Sequence, residues 1–176
     1  MFLYLTAGTS DFMEMLQKKY DKENMIVLYS GDQSLLMHHT DGKTKFATPH
    51  SFSIVDSKGE FTDRGFFTVT YVDIFDDRAA IFEERLKSKD FGFLKEPGFI
   101  AYKLLKPIKA TTFAIIIQWS GPDSYYAWKM SDAYKHDFDF MPENIAVDHL
   151  PTTLSVAPYT KEYMTTPSDN DDTEKN

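Results

Sequence analysis

The fold is decided by the stretch from Glu96 to Phe138. It opens as Glu96-Pro97-Gly98-Phe99-Ile100-Ala101-Tyr102-Lys103-Leu104-Leu105 and turns after Pro107. It continues as Thr112-Phe113-Ala114-Ile115-Ile116-Ile117-Gln118-Trp119, then runs from about Asp123 to Phe138 with Tyr125, Trp128 and Tyr134 among polar residues. Phe113, Ile115 and Ile117 alternate with Thr112, Ala114, Ile116 and Gln118, the period-two pattern of a strand with one large apolar face. The stretch reads as strand, polar turn, strand, helix. A hairpin beneath an aromatic-rich helix is half of an α+β sandwich, and the rest of the chain must supply the other half.

The flanking segments complete a known order. Upstream, Phe66 to Phe75 reads as a long strand, and Asp76-Asp77 caps a helix from Arg78 to Lys89 whose buried edge is Ile81, Phe82 and Leu86. Downstream, a loop containing Pro142 and Pro151 leads to a last strand, Ser155 to Met164. The sum is β-α-β-β-α-β, the ferredoxin-like arrangement. From Thr165 the chain carries Ser, Asp, Asn, Glu and Lys with no aromatic residue, the composition of a disordered acidic tail.

The N-terminal residues read as a smaller unit. Phe2 to Ala7 is a strand, and a helix from Phe12 to Tyr20 follows, with Ser10 or Asp11 as N-cap and Phe12, Met15, Leu16 and Lys19 on its packed side. Met25 to Tyr29 and Leu35 to Thr40 are further strands. Asp41-Gly42 is a two-residue hairpin signal that sends Lys43 to Thr48 back as a partner strand, and Pro49 to Ser57 is a strand or loop. The expected organisation is a small α+β domain over residues 1–62, packed against a ferredoxin-like domain over 63–165, with a tail over 166–176. The first unit looks like a truncated echo of the second.

Composition excludes several function classes. The 176 residues carry a net charge of −8 with no long basic stretch, so a nucleic-acid groove is not expected. No cysteine is present, which excludes disulfides, thiol catalysis, thiolate-bound zinc and iron–sulfur clusters. The segment Met1-Phe2-Leu3-Tyr4-Leu5-Thr6 reads as a strand and not a signal peptide, and no apolar run approaches the ~20 residues of a membrane span. A soluble, cytoplasmic protein is the expectation.

Candidates for chemistry are few. Of His38, His39, His50, His136 and His149, no pair has the spacing of a helical metal site, and His38 and His39 in a strand point to opposite faces. There is no nucleophile elbow and no glycine-rich phosphate loop. Asp137 and Asp139 flank Phe138 and read as solvated surface. Trp128, Tyr134 and His136 stand on or just past the last helix. An imidazole beside an aromatic cavity could bind haem iron, whereas Trp128 could equally be core and His136 a surface residue at a frayed helix end.

Several motifs carry a resemblance. They are the Glu96-Pro97-Gly98-Phe99 turn, Leu104-Leu105-Lys106-Pro107, Trp119, and the run from Trp128 through Ser131, Asp132, Tyr134 and Lys135. Nearer the N-terminus stand Tyr4-Leu5-Thr6-Ala7-Gly8-Thr9, His39-Thr40-Asp41-Gly42, Ala47-Thr48-Pro49-His50 and Gly59-Glu60. In this order the chain resembles the antibiotic-biosynthesis-monooxygenase (ABM) superfamily, in particular its two-domain branch of HmoB-like haem-degrading monooxygenases and TRAP-like signal-transduction proteins. The resemblance implies a monomer with a pseudo-dimeric barrel, or a dimer. It implies haem, as substrate and cofactor, between the second helix and the sheet, with electrons from an external donor.

Haem-degrading members use an Asn on the first strand, a Trp on the second helix and an iron-binding His one turn on. Trp128 matches the Trp. Thr70 stands at the Asn position and Phe138 at the His position. By resemblance, Trp128 and Thr70 are then the catalytic residues, and His136, Phe138 and Tyr134 hold the cofactor, with His136 as the iron ligand. The alternative is a non-catalytic TRAP-like protein that acts in stress or regulatory signalling through a partner or a planar apolar ligand. A third reading is a cofactor-free oxygenase acting on an aromatic substrate.

Overall fold

A computed structural model describes residues 1–31, 33–145 and 156–167. Its elements are β1 (Phe2–Gly8), α1 (Ser10–Lys19), β2 (Asn24–Leu28), β3 (Ser34–Thr40), β4 (His50–Lys58), β5 (Phe66–Asp73), α2 (Ala79–Lys87), β6 (Phe99–Pro107), β7 (Thr112–Trp119), α3 (Pro122–Lys129), α4 (Asp132–Asp137) and β8 (Tyr159–Met164). His149, the expected start of the last strand at Ser155 and the tail from Ser168 onward lie outside the described residues.

All eight strands belong to one sheet, in the order β2-β3-β1-β4-β6-β7-β5-β8. The C-terminal four, β6-β7-β5-β8, have the ferredoxin-like order expected from β-α-β-β-α-β. The N-terminal four repeat it: second, third, first, fourth strand, with one helix instead of two. The halves meet at two seams. On one side β4 runs antiparallel to β6 from Phe52↔Pro107 to Lys58↔Tyr102, with a bulge between Ile54 and Asp56. On the other, among the described residues, β2 and β8 are joined by one bridge between Tyr29 and Met164, which exchange both backbone hydrogen bonds at 2.7 and 2.9 Å. The ring is thus a nearly closed barrel with pseudo-twofold symmetry, firm at one seam and thin at the other.

This corrects the expectation of a small unit packed against a larger one, because the first five elements share the sheet itself. It also overturns the hairpin at Asp41-Gly42. The segment 43–48 forms no strand; β3 pairs with β1, and β1 lies between β3 and β4. The turn chemistry was local, whereas the partner of β3 was chosen by burial. Leu3 and Leu5 of β1 and Leu35 and Met37 of β3 point together into the barrel.

The interior is a core that neither half owns. Leu3, Leu5, Leu28, Leu35, Met37 and Phe52 from one half meet Phe67, Val69, Leu105, Ala114, Ile116 and Tyr163 from the other. Outside the barrel, α1 covers Met25, Val27 and Leu36 with Met13. Helices α2, α3 and α4 cover Val72, Tyr102, Leu104, Phe113, Ile115, Ile117 and Trp119. The alternation read in β7 sends its large residues under the helices and Ala114 and Ile116 inward.

Details of the helices differ from the sequence reading. Thr9, not Ser10 or Asp11, is the N-cap of α1, and its hydroxyl accepts from the Phe12 amide. Met13 is the buried residue of α1, whereas Phe12 and Met15 are half exposed. Ile81 is 60% exposed; only Phe82 and Leu86 form the buried edge of α2. The expected single helix from Asp123 to Phe138 is two. Ser131 takes an extended conformation and its hydroxyl donates to the Trp128 carbonyl at 2.6 Å, closing α3 and starting α4.

One end of the barrel is plugged. Gln118, fully buried, accepts from the Thr62 amide at 2.9 Å and donates to the Thr62 hydroxyl and the Arg64 carbonyl, each at 2.8 Å. Lys103 points inward there, donates to the Ser57 hydroxyl at 3.0 Å and lies over the Phe61 ring. Burial holds its ammonium below the usual lysine range, opposed by Glu60.

Because the chain closes its own barrel, it is expected to sediment as a 20.3 kDa monomer; a tight dimer in a velocity run counts against self-closure. Phe67→Ala, which empties a fully buried position of the shared interior, is expected to cost about 3–5 kcal/mol in urea unfolding.

Candidate functional site

Of the residues singled out from the sequence, Trp128, Tyr134 and Phe138 lie between the outer face of the sheet and the pair α3–α4. Trp128 is 1% exposed, and its indole is ringed by other aromatics. Tyr134 stands edge-on at 4.9 Å, Phe138 at 5.1 Å and Phe93 at 5.7 Å, while Trp119 lies at 5.5 Å and 34°. Such edge-to-face contacts place the positive rim of one ring against the negative face of another. Phe138, 2% exposed, also contacts Phe140. The space beneath the helices is therefore filled by side chains that contact one another.

Trp128, Tyr134 and Phe138 are brought together. His136 and Thr70 are placed otherwise. His136 lies in the last turn of α4 and is exposed. The Thr70 hydroxyl is 2.7 Å from that of Thr160 on β8, a hydrogen bond between neighbouring strands. The Tyr134 hydroxyl donates to Glu143.

Asp137, expected on solvated surface, is instead fully buried. One carboxylate oxygen accepts from the Gly92 amide at 2.7 Å; the other accepts from the Phe93 amide at 2.9 Å and from the Trp128 indole N–H at 2.8 Å. Three donors stand in for the water this charge has lost. The carboxylate thereby joins α4, the turn at residues 92–95 and the tryptophan of α3. Nothing in the sequence marks it, because the donors are two backbone amides and a ring nine positions away. The neighbouring Asp139 keeps partial exposure and pairs with Arg85 and Lys89. Burial lowers the Lys89 ammonium, and the Asp139 carboxylate opposes that shift.

No group of three or more His, Cys, Asp or Glu side chains among the described residues could hold a metal ion. No helix among them is long and apolar enough to cross a membrane. Open space lies elsewhere. A cavity of about 800 Å³ occupies the unplugged end of the barrel, lined by Leu5, Leu35, Phe52, Tyr71 and Tyr159 among others. A second, of about 420 Å³, sits beside the thin seam near Tyr29, Tyr126 and Met164. Sequence reasoning missed the first cavity, since its walls come from strands far apart in the chain.

A barrel built from two ferredoxin-like strand sets, with helices on the outside of the complete one, defines the class. The chain shares its fold with TRAP-like and monooxygenase-like proteins. Residues 65–137 match the family model for antibiotic biosynthesis monooxygenase (ABM). The chain is 27% identical over 138 residues to the signal transduction protein TRAP of Staphylococcus epidermidis, covering 78% of this chain and 83% of that protein. Among solved structures, that of a major regulator of staphylococcal pathogenesis superposes with a TM-score of 0.83 at 25% identity, covering 94% of this chain and 99% of the other. A heme-degrading enzyme from Listeria monocytogenes superposes with a TM-score of 0.71 at 22% identity over 93% and 99%, a likeness of fold alone.

Two measurements probe this layer. Asp137→Ala leaves the indole N–H and two amides without their acceptor and is expected to cost about 3–5 kcal/mol, read by urea unfolding, with a shift in tryptophan emission. Asp137→Asn, which keeps one carbonyl acceptor, should cost less. Burial raises the phenols of Tyr125 and Tyr134, with Glu162 and Glu143 adding to it, and pushes Tyr29 up to about 12. These groups hold their protons in the fold where an unfolded tyrosine, with pKa about 10, would lose them. Stability from this source is whole below about pH 10 and declines as pH rises through the folded values. The check is tyrosinate absorbance against the urea midpoint in alkaline buffers.

Proposed function

We propose that this protein is a non-catalytic TRAP-like member of the ABM-fold group, acting in stress or regulatory signalling through a partner or small ligand, within the cytoplasm. One observation carries the reading. At the position that the family resemblance assigns to the iron-binding imidazole, this chain has Phe138, buried against Trp128. A phenyl ring offers iron no lone pair, and the neighbouring imidazole, His136, faces solvent. The Trp128 N–H is committed to Asp137, and Tyr134 and Phe138 take up the room a macrocycle needs. The residues present do not fit haem beneath α3–α4. The extent of the match to TRAP proteins supports the same reading.

The haem-degrading alternative keeps the same residues in other roles: Trp128 and Thr70 at the macrocycle, His136 on iron, and Tyr134 and Phe138 lining the site. Titration of the protein with haem separates the two. The expected outcome is no saturable Soret band at one equivalent and no loss of haem absorbance when a reductant is added. A one-to-one Soret band that disappears in His136→Ala, with haem consumed under reductant, would reverse the assignment.

A further inference from the structure

The cavity at the open end of the barrel has the chemistry of a ligand site, and we infer that it binds a small apolar monocarboxylate. This rests on the non-catalytic reading and gives it a ligand. The volume, about 800 Å³, lies within the roughly 300–1,000 Å³ of small-molecule pockets. Its apolar walls come from both halves, Leu5, Leu35 and Phe52 from one, Tyr71 and Tyr159 from the other, with the two tyrosine rings 5.3 Å apart, and polar side chains such as Ser34, His50 and Thr112 line the rest.

The rim carries the opposite character. Lys161 stands on the inner face of β8, between Tyr159 and Tyr163 and in register with Val69, a residue of the barrel interior. Lys109 reaches the same mouth from the β6–β7 turn. Neither makes an ion pair among the described residues, in a chain whose net charge is −8. Glu162, the acidic residue at the mouth, has its carboxylate taken by the Tyr126 hydroxyl. The Tyr71 hydroxyl makes no hydrogen bond among the described residues and is free to donate to a bound oxygen. Two free ammonium groups above an apolar chamber complement an anionic head on an apolar body. Access follows from the asymmetry of the seams, since β2 and β8 are joined by one bridge and part beside the cavity.

Calorimetric titration of the full chain tests this with four probes: dodecanoate, 2-naphthoate, the uncharged dodecanol and cationic dodecyltrimethylammonium. Saturable one-site binding of either carboxylate is expected, about tenfold or more tighter than dodecanol and the cation. Dodecanoate alone would mark an aliphatic body and naphthoate alone an aromatic one. Lys161→Glu is expected to weaken binding about tenfold or more while leaving the thermal midpoint close to that of the parent. Ala7→Trp, which fills the mouth from an exposed position on β1, should abolish it. The assignment is overturned if neither carboxylate saturates, if dodecanol binds as well, or if Lys161→Glu has no effect. Lys161 is then only an inward-pointing charge guarding the free edge of β8. Haem consumption in the preceding assay sinks the signalling reading whatever the carboxylates do. Absence of carboxylate binding without haem consumption removes the cavity assignment alone.

Discussion

An open strand edge is a row of amide and carbonyl groups without partners, and two four-stranded sheets present four such edges. The architecture follows from how this chain disposes of them. Pairing β4 with β6 covers two edges along most of their length and fuses the two strand sets into one sheet. Once fused and twisted, the sheet curls until β2 reaches β8, where a single bridge at Tyr29 and Met164 is all that joins them. The inner faces then have only each other to pack against, and the shared interior from Leu3 to Tyr163 results. Both strand sets lie in one polypeptide, so the chain closes the ring by itself.

The two halves have diverged in what they carry outside the barrel. The C-terminal half keeps its helices, and the layer beneath them is a continuous mass of rings from Phe66 to Phe140. Asp137 fixes that mass by accepting from α3's tryptophan and from the 92–95 turn at once. A buried carboxylate with three donors resists movement, because shifting any one element leaves a charge short of a partner. This rigidity suits a scaffold better than a site that must admit a large planar ligand. The N-terminal half has one helix and a segment at 41–49 where a second would stand, and its outer layer is correspondingly smaller.

Polarity inside the barrel is graded along its axis. Gln118, hydrogen-bonded to Thr62 and Arg64, and Lys103, which donates to the Ser57 hydroxyl, close one end. Apolar residues fill the middle, and the far end stays open between residues 49–52, the β6–β7 turn and β8. With one end plugged, the mouth lies at the other, and the thin seam sits beside it.

How much of this the chain announces depends on the range of the interaction. The alternation of Phe113, Ile115 and Ile117 with Ala114 and Ile116 fixes both the strand and its two faces, because side-chain direction in a strand is set by neighbours in sequence. The order β-α-β-β-α-β likewise follows from local periodicity, and so does the placement of Trp128 on an apolar helix face. The Asp41-Gly42 hairpin fails for the opposite reason: turn propensity is local, but β3 pairs with β1, far off in the chain (Gly8↔Ser34 to Phe2↔Thr40), where burial of Leu35 and Met37 outweighs the turn. Asp137 looked like surface because its three donors are fixed only when α4 docks on the 92–95 turn. The break at Ser131 was written in a common N-cap residue but is decided by its bond to the Trp128 carbonyl. Sequence alone thus determined most of the strands and helices and the ferredoxin-like half, all products of contacts between near neighbours. The single fused barrel, the filled space under Trp128 and the cavity at the far end were decided only by tertiary structure, since each depends on strands that meet after the chain has closed on itself.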